Sequence, residues 1–433
     1  MNASCHWRAL RMAALLFVAA WAWASASTGE ESPAKPAADP ARLAALVAKL
    51  GSEDFSEREA ASEALTRVGL PAFSALEAAT EHPDREVRYR SVRILAQIRE
   101  LDLQRRLEAF LSGKEEPDEY PLPGWSRFEK AYGDTSHSRQ LFVDLQRADP
   151  ELMQSLQREP KSAAELLGQR TQQHQEALRF GGGQQQLTLG QIMTMAFVAA
   201  QEDLTPADHT LSMVLSYCQQ APYREAMNNP TKREIPRKMV GALIRRSEDN
   251  SAYQAMMLAI TYSLDDGLVP AVKILKQGGR VPHMSLYALM TVAKLGDRSH
   301  LPLVEKLLDD KSVVTRTQQN KVIHEIQIRD AALAAGVLLT KQDLKTYYPD
   351  RGEFPTSDPQ QVFFNPKLIG FSPQPTAGDG QEPKEDPRAA VYKKWQEFKA
   401  QQPREESKAN EEPKPNEESK AEATPAAPPA ESK

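Results

Sequence analysis

The sequence predicts an all-α fold, an α-solenoid of antiparallel helix pairs with irregular helical insertions and a disordered C-terminal tail. Three observations predict it. First, two segments thirty residues apart match in residue type, 54–65 (DFSEREAASEAL) and 84–95 (DREVRYRSVRIL). Asp54 answers Asp84, Arg58 answers Arg88, Ala61 answers Ser91, and Ala64 with Leu65 answers Ile94 with Leu95. The preceding segments match at the same offset, Leu43 with Phe73 and Leu46 with Leu76. Second, aromatics are few, at 7%, while Ala, Leu, Glu, Gln and Arg are plentiful, which favours helix. Third, helix-start signals recur along the chain. A fixed period of this size implies stacked units, because one helix pair cannot bury its apolar face alone.

At these residues the chain resembles HEAT repeats, whose second helix often reads Asp, then Val-Arg, then small residues, then Leu. Glu86, Val87 and Arg88 through Leu95 fit that pattern, and 57–61 fit it with Glu57 in the place of the apolar residue. Many HEAT units also place Asp six residues before the Arg, where it builds an inter-repeat ladder. Ser52 and His82 stand there instead, which counts against such a ladder. The order of parts is also similar to a group of exported bacterial HEAT-repeat proteins without assigned activity. Gly124-Trp125, 328–335, Gly370-Phe371 and Lys393-Lys394-Trp395 carry that likeness, and it implies no activity.

Taken in order, residues 1–26 read as a signal peptide. His6, Arg8 and Arg11 form a positive n-region, 12–24 an apolar h-region, and Ala24-Ser25-Ala26 a small-residue cleavage site. Cleavage between Ala26 and Ser27 and export to the periplasm or extracellular space are expected, with an uncleaved anchor as the alternative. As a helix the h-region would rise roughly 20 Å, short of the roughly 30 Å hydrocarbon core, so no stable membrane span is expected after cleavage. With Cys5 in the signal, the mature chain keeps Cys218 alone and no intramolecular disulfide can form. Cys218 follows Leu211, Val214 and Leu215 at helical spacing and reads as a small buried hydrophobe.

Residues 27–39 read as a linker and 40–111 as a HEAT-like repeat pair. Ser56 with Glu59 reads as a capping box, and Asp84 after Pro83 as an N-cap. Within the second of these helices Val87, Ser91, Ile94, Leu95, Ile98 and Leu101 share one stripe, and Arg85, Arg88 and Arg99 share a flank. A Pro-rich break at 112–124 opens a second helical region, 112–247, in which degenerate repeats are one reading. Its helix starts are marked by Asp149-Pro150, by Ser162 with Glu165, and by Thr205-Pro206 with Asp208. Gly181-Gly182-Gly183 followed by three Gln reads as a connection, since no Lys-Ser/Thr follows to hold a phosphate.

From 248 to 345 looser HEAT-like repeats are expected. Segment 259–275 resembles 292–308: an apolar helix stops at Leu264 or Leu295, an Asp-bearing turn follows, and Pro270 or Pro302 sits in the opening of the next helix. Residues 346–387 read as irregular and 388–400 (RAAVYKKWQEFKA) as an amphipathic helix. The tail, 401–433, repeats a mixed-charge hexapeptide. From Glu405 it has no apolar residue larger than Ala, so it cannot offset its ordering entropy.

No catalytic, cofactor-binding or metal-ligating residue is expected. Nucleophile-elbow, Walker A, zinc and EF-hand patterns are missing, and His324-Glu325 begins like H-E-x-x-H but meets Ile328 at the second His position. Asp265-Asp266 and Asp309-Asp310 read as caps at helix ends. A net charge of −5 argues against nucleic acid as a partner. The candidate partner-binding residues are Arg85, Arg88 and Arg99, which read either as a solvated or repeat-stacking face or as a face for an acidic protein, and Tyr392 and Trp395. The latter belong to the stripe Val391, Tyr392, Trp395, Phe398, which either docks back on the chain or engages a partner groove. The function expected is an exported, non-catalytic scaffold binding a protein partner whose identity the sequence does not give. Two alternatives stand beside it. One is an enzyme, because some HEAT-type proteins that resemble this repeat act as bilin lyases; the other is a structural component of the cell envelope.

Overall fold

The computed structural model describes residues 39–113, 122–180, 186–278, 281–319, 322–355, 358–373 and 386–401. The signal segment with Ala26 and Ser27, the linker up to residue 38, the triple glycine at 181–183 and the tail from 402 lie outside them. The described residues are mostly helical, with twenty α-helices and one two-stranded sheet among them. They fall into two compact units, Met1–Glu108 and Ala109–Lys433.

The first unit holds α1 (Pro40–Lys49), α2 (Phe55–Val68), α3 (Phe73–Ala79) and most of α4 (Arg85–Ser112). The helices α2 and α4 begin in the same way, thirty residues apart. Asp54 Oδ1 accepts from the Ser56 amide at 2.8 Å, and Asp84 Oδ1 accepts from the Glu86 amide at 2.7 Å. The expected Ser56–Glu59 capping box is therefore corrected: Asp54 is the cap, and the helix starts at Phe55. A carboxylate there also meets the positive end of the helix dipole.

The match extends to the side chains that brace the preceding turn. Arg58 Nη1 donates to the carbonyls of Ser52 at 2.7 Å and Glu53 at 3.0 Å. Arg88 Nη1 donates to those of His82 at 2.6 Å and Pro83 at 2.8 Å. Each guanidinium satisfies two turn carbonyls that no ladder reaches. Beneath these turns Leu43, Leu50, Leu65, Leu76, Val87, Ile94, Leu95 and Ile98 form one buried cluster. Leu101 departs from the expected stripe and lies exposed. Leu65→Ala and Leu95→Ala are each expected to cost about 2–5 kcal/mol in urea unfolding, the range for truncating a buried Leu. Losses below about 1 kcal/mol at both would remove these residues from the core.

The second unit opens with α5 (Trp125–Tyr132), α6 (Ser136–Ala148), α7 (Pro150–Ser155), α8 (Pro160–Phe180), α9 (Leu189–Ala199) and α10 (Asp208–Tyr217). Then come α11 (Ala221–Asn228), α12 (Glu234–Arg246), α13 (Ser251–Tyr262), α14 (Leu268–Lys276), α15 (Pro282–Leu295) and α16 (Leu301–Glu305). A row of helices runs through the unit in chain order: α6 packs on α9, α9 on α10, α10 on α13 and α13 on α15. Helix α9 is apolar over most of its surface, as a buried helix must be, and every residue from Ile192 to Ala199 is buried. The resemblance of 259–275 to 292–308 has a structural counterpart. After α13 a 3₁₀ turn at Asp265–Gly267 leads into α14, and after α15 one at Arg298–His300 leads into α16.

Two helix starts in this unit are corrected. Pro160, not Ser162, opens α8, since proline at the first position gives up only an amide that would be unpaired there. Helix α10 starts at Asp208, but Asp208 caps another helix: its carboxylate accepts from the amides of Asn250 at 3.1 Å and Ser251 at 3.2 Å, at the start of α13.

The larger correction falls at 313–327, where helical repeats were expected. The antiparallel strands β1 (Val313–Gln319) and β2 (Val322–Gln327) lie there, with Arg316 opposite Glu325 and Thr317 opposite His324. Val313, Val314, Thr315, Thr317, Val322, Ile323 and Ile326 supply the β-branched residues that fit a pleated surface. Beyond the hairpin come α17 (Ile328–Leu339), packed on α15, then α18 (Leu344–Tyr347), α19 (Pro359–Phe363) and α20 (Ala389–Gln401). The described part of 346–387 is thus not wholly irregular. It includes α19, and Phe371 adds a bridge to β2 through two 2.9 Å backbone hydrogen bonds with Glu325.

Candidate functional site

The sequence-derived candidates fall in two places, one in each unit. In the first unit, Arg85 and Arg99 are exposed on α4 and mark the ends of a stripe. Between them lie Tyr89, 57% exposed, Val92, 55% exposed, and Ala96, also exposed. Steps of four, three, four and three residues put all five on one side of the helix. The Arg93 guanidinium lies 5.6 Å from the Tyr89 ring centroid, and that of Arg99 lies 4.9 Å from the ring of Phe73. Arg88 does not join this surface freely, because it is half-buried and braces the 82–83 turn.

Sequence reasoning missed the charges on the other flank of α4. Arg90 Nε donates to Glu86 at 2.6 Å, and its Nη1 reaches across to Glu59 of α2 at 2.8 Å. Arg58 stands 3.7 Å from Glu86, so four charges of alternating sign link the two helices. A ladder therefore links the two matched helices through residues other than the Asp whose place Ser52 and His82 hold. The signal was present: Arg90 follows Glu86 by one helical turn. Below the ladder a groove of about 860 Å³ runs between α2 and α4, lined by Glu63, Thr66, Arg67, Arg93, Gln97 and Leu101.

In the second unit, Tyr392 and Trp395 sit on α20, and this helix lies against its own chain. Trp395 is 3% exposed and Val391 is also buried, while Tyr392 and Phe398 pack against the same cluster. The Tyr392 hydroxyl is within hydrogen-bond reach of the carbonyls of Leu308 at 3.2 Å and Arg329 at 3.0 Å. Gly336 of α17 provides the seat for the indole. A Cβ at that position would stand 2.9 Å from Trp395 Cη2, so only glycine admits the ring.

Just ahead of α20, Arg388 is 2% exposed and Asp330, at the start of α17, is fully buried. Arg388 Nε and Nη2 donate to the two Asp330 oxygens at 2.7 and 2.9 Å, a bidentate fork. Burial opposes the Arg388 charge, but Asp330, Asp386 and Glu325 outweigh it and hold its pKa above the ordinary value. Asp330 also accepts from the Gln327 amide at 2.9 Å, and the Arg388 guanidinium stands 4.8 Å from the Phe371 ring centroid. The network continues outward. Gln327 Nε2 donates to Glu325 at 2.8 Å, Arg316 donates to the other Glu325 oxygen at 2.8 Å, and Arg329 bridges Gln327 and Asp386 at 2.6 and 3.2 Å. Segments 328–335, Phe371 and Trp395 thus meet at one place.

Gly124 and Trp125 lie elsewhere in this unit. Gly124 takes a positive φ of 83° ahead of α5, and Trp125 stacks among Phe110, Phe128 and Phe142. Cys218 is fully buried and burial pushes its thiol up to about 12, which keeps it protonated. Of the paired acids, Asp266 forms an ion pair with Arg245 and Asp310 accepts from the Ser312 amide at 2.9 Å. His324 and Glu325 lie on β2, and Ile328 is part of the core. A second cleft of about 870 Å³ is lined by Arg127, Lys130, Asp203, Lys238, Arg245 and Asp266. Its arginines are engaged, Arg127 with Asp203 at 2.5 and 2.9 Å and Arg245 with Asp266. No described helix is long and apolar enough to cross a membrane. No family model, curated protein or solved structure matches the chain.

Proposed function

We propose that the protein is an exported, non-catalytic, HEAT-like repeat scaffold that binds an acidic protein partner through the exposed stripe of α4. One observation carries the reading. Tyr89 and Val92 stand more than half exposed between the cations Arg85 and Arg99, on a helix whose Glu86 and Arg90 are already paired on another flank. Aromatic and arginine side chains together are the composition of interface centres, not of routine solvated surface. The repeat reading draws support from the shared Asp cap and Arg brace of α2 and α4, and from the row of helices in the second unit. Export rests on the n-, h- and c-region pattern of 1–26.

Charge reversal tests the face. Tagged chain captured from the exported fraction should retain a partner in stoichiometric amount, and Arg85→Glu with Arg99→Glu should release it. Arg-to-Glu exchange turns attraction into repulsion and should also weaken the salt dependence of what binding is left. Capture that is unchanged by the double reversal at low salt would return this stripe to a solvated surface.

A further inference from the structure

We infer that the ligand of α4 is itself a helix: an amphipathic segment that lays three apolar side chains along Tyr89, Val92 and Ala96 and sets acidic residues opposite Arg85 and Arg99. This rests on the reading of α4 as the partner face and specifies what the partner must present. The residues advance by four, three, four and three, which is the step pattern of a seam between two packed helices. From Arg85 to Arg99 the seam rises roughly 21 Å at 1.5 Å per residue, so the ligand needs about four helical turns. Ala96 leaves a hollow between Val92 and Arg99 in which a large side chain can sit. The opposite flank of α4 cannot take the same ligand, since Glu59, Glu86 and Arg90 are paired with one another there.

Other occupants fit less well. A second copy of the chain would set α4 against α4. Antiparallel pairing then brings Arg85 opposite Arg99, and parallel pairing brings each arginine opposite itself, so like charges meet at both ends of the seam. The chain's own tail has no apolar residue larger than Ala from Glu405 onward and cannot fill the seam. A membrane surface would attract the arginines, but Tyr89, Val92 and Ala96 offer little apolar area for insertion.

A designed peptide of about 18 residues, with Leu at three inner and Glu at two outer positions of the same step pattern, is the test probe. Fluorescence anisotropy against the full chain should show binding, and circular dichroism should show the peptide gaining helix. Arg85→Glu with Arg99→Glu should weaken that binding at least tenfold, and a Lys-flanked version of the peptide should bind this reversed chain instead. Val92→Glu should abolish binding of either peptide. All these positions are exposed, so unchanged melting curves establish that the variants are folded. The inference is overturned if neither peptide binds, if both bind the native chain equally, or if binding survives Val92→Glu. Binding to phosphatidylglycerol vesicles that Val92→Glu abolishes, with no peptide binding, would overturn it in favour of a membrane. Failure here leaves the scaffold reading standing when capture of the partner is still lost on charge reversal; failure of both experiments removes both.

Discussion

Arg388→Ala is expected to lower the unfolding free energy of the second unit by about 3–5 kcal/mol, the range for removing one member of a buried ion pair. The Asp330 carboxylate would be left fully buried with the Gln327 amide as its remaining close donor. Water cannot reach it in the folded state, so most of its desolvation penalty goes unopposed. The loss should be visible as a lower urea midpoint with an unchanged slope. Arg388→Lys should also be destabilising, because an ammonium cannot span both carboxylate oxygens or stack over the Phe371 ring. Replacing both partners, Asp330→Leu with Arg388→Met, should recover part of the loss. Recovery should be incomplete, since Asp330 also caps α17. A change below about 1 kcal/mol for Arg388→Ala would show that the pair is solvated and that the C-terminal helix is not locked by it.

Trp395→Ala is expected to cost about 3–5 kcal/mol, as for truncating other fully buried aromatic residues. The ring fills the hollow that Gly336 leaves in α17 and contacts Phe398 and Tyr347 at its edges. The reverse change probes the same fit: Gly336→Val should push the indole out and cost about 1–3 kcal/mol or more through overpacking. In both variants the amides of 389–401 should lose hydrogen-exchange protection ahead of the rest of the unit. A helix of this length is marginal alone in water and depends on the face it buries. Protection of 389–401 that persists in Trp395→Ala would place the anchor elsewhere on the helix.

What was legible in the sequence is what local rules govern. The match of Asp54 with Asp84 and of Arg58 with Arg88 announced two equivalent helices, and Asp84 was read as a cap; the cap at Asp54 was misplaced to Ser56, and the bracing role of both arginines was not read. The spacing of Val391, Trp395 and Phe398 announced a helix with one apolar face, and docking on the chain itself is the placement the structure has. The ion pair between Asp330 and Arg388 was not legible. Its members stand 58 residues apart, and nothing local distinguishes them from solvated charges. Asp208 was read as a start signal for its own helix, yet it caps α13, more than forty residues on. The hairpin at 313–327 was passed over because it interrupts a helical pattern on both sides, although its β-branched residues carry the signal. Arg88 was placed on the correct helix, but whether it braces a turn or faces solvent depends on a rotamer that residue type alone does not set.

The central claim is that α4 carries the partner surface, and side-chain footprinting tests it most directly. With the partner captured on the native chain, carbene labelling of Tyr89 and Val92 should fall severalfold relative to the free chain. Leu101, also exposed but on the groove side of α4, should label at the same rate in both samples. Tyr89 and Val92 labelled alike with and without the partner would contradict the account.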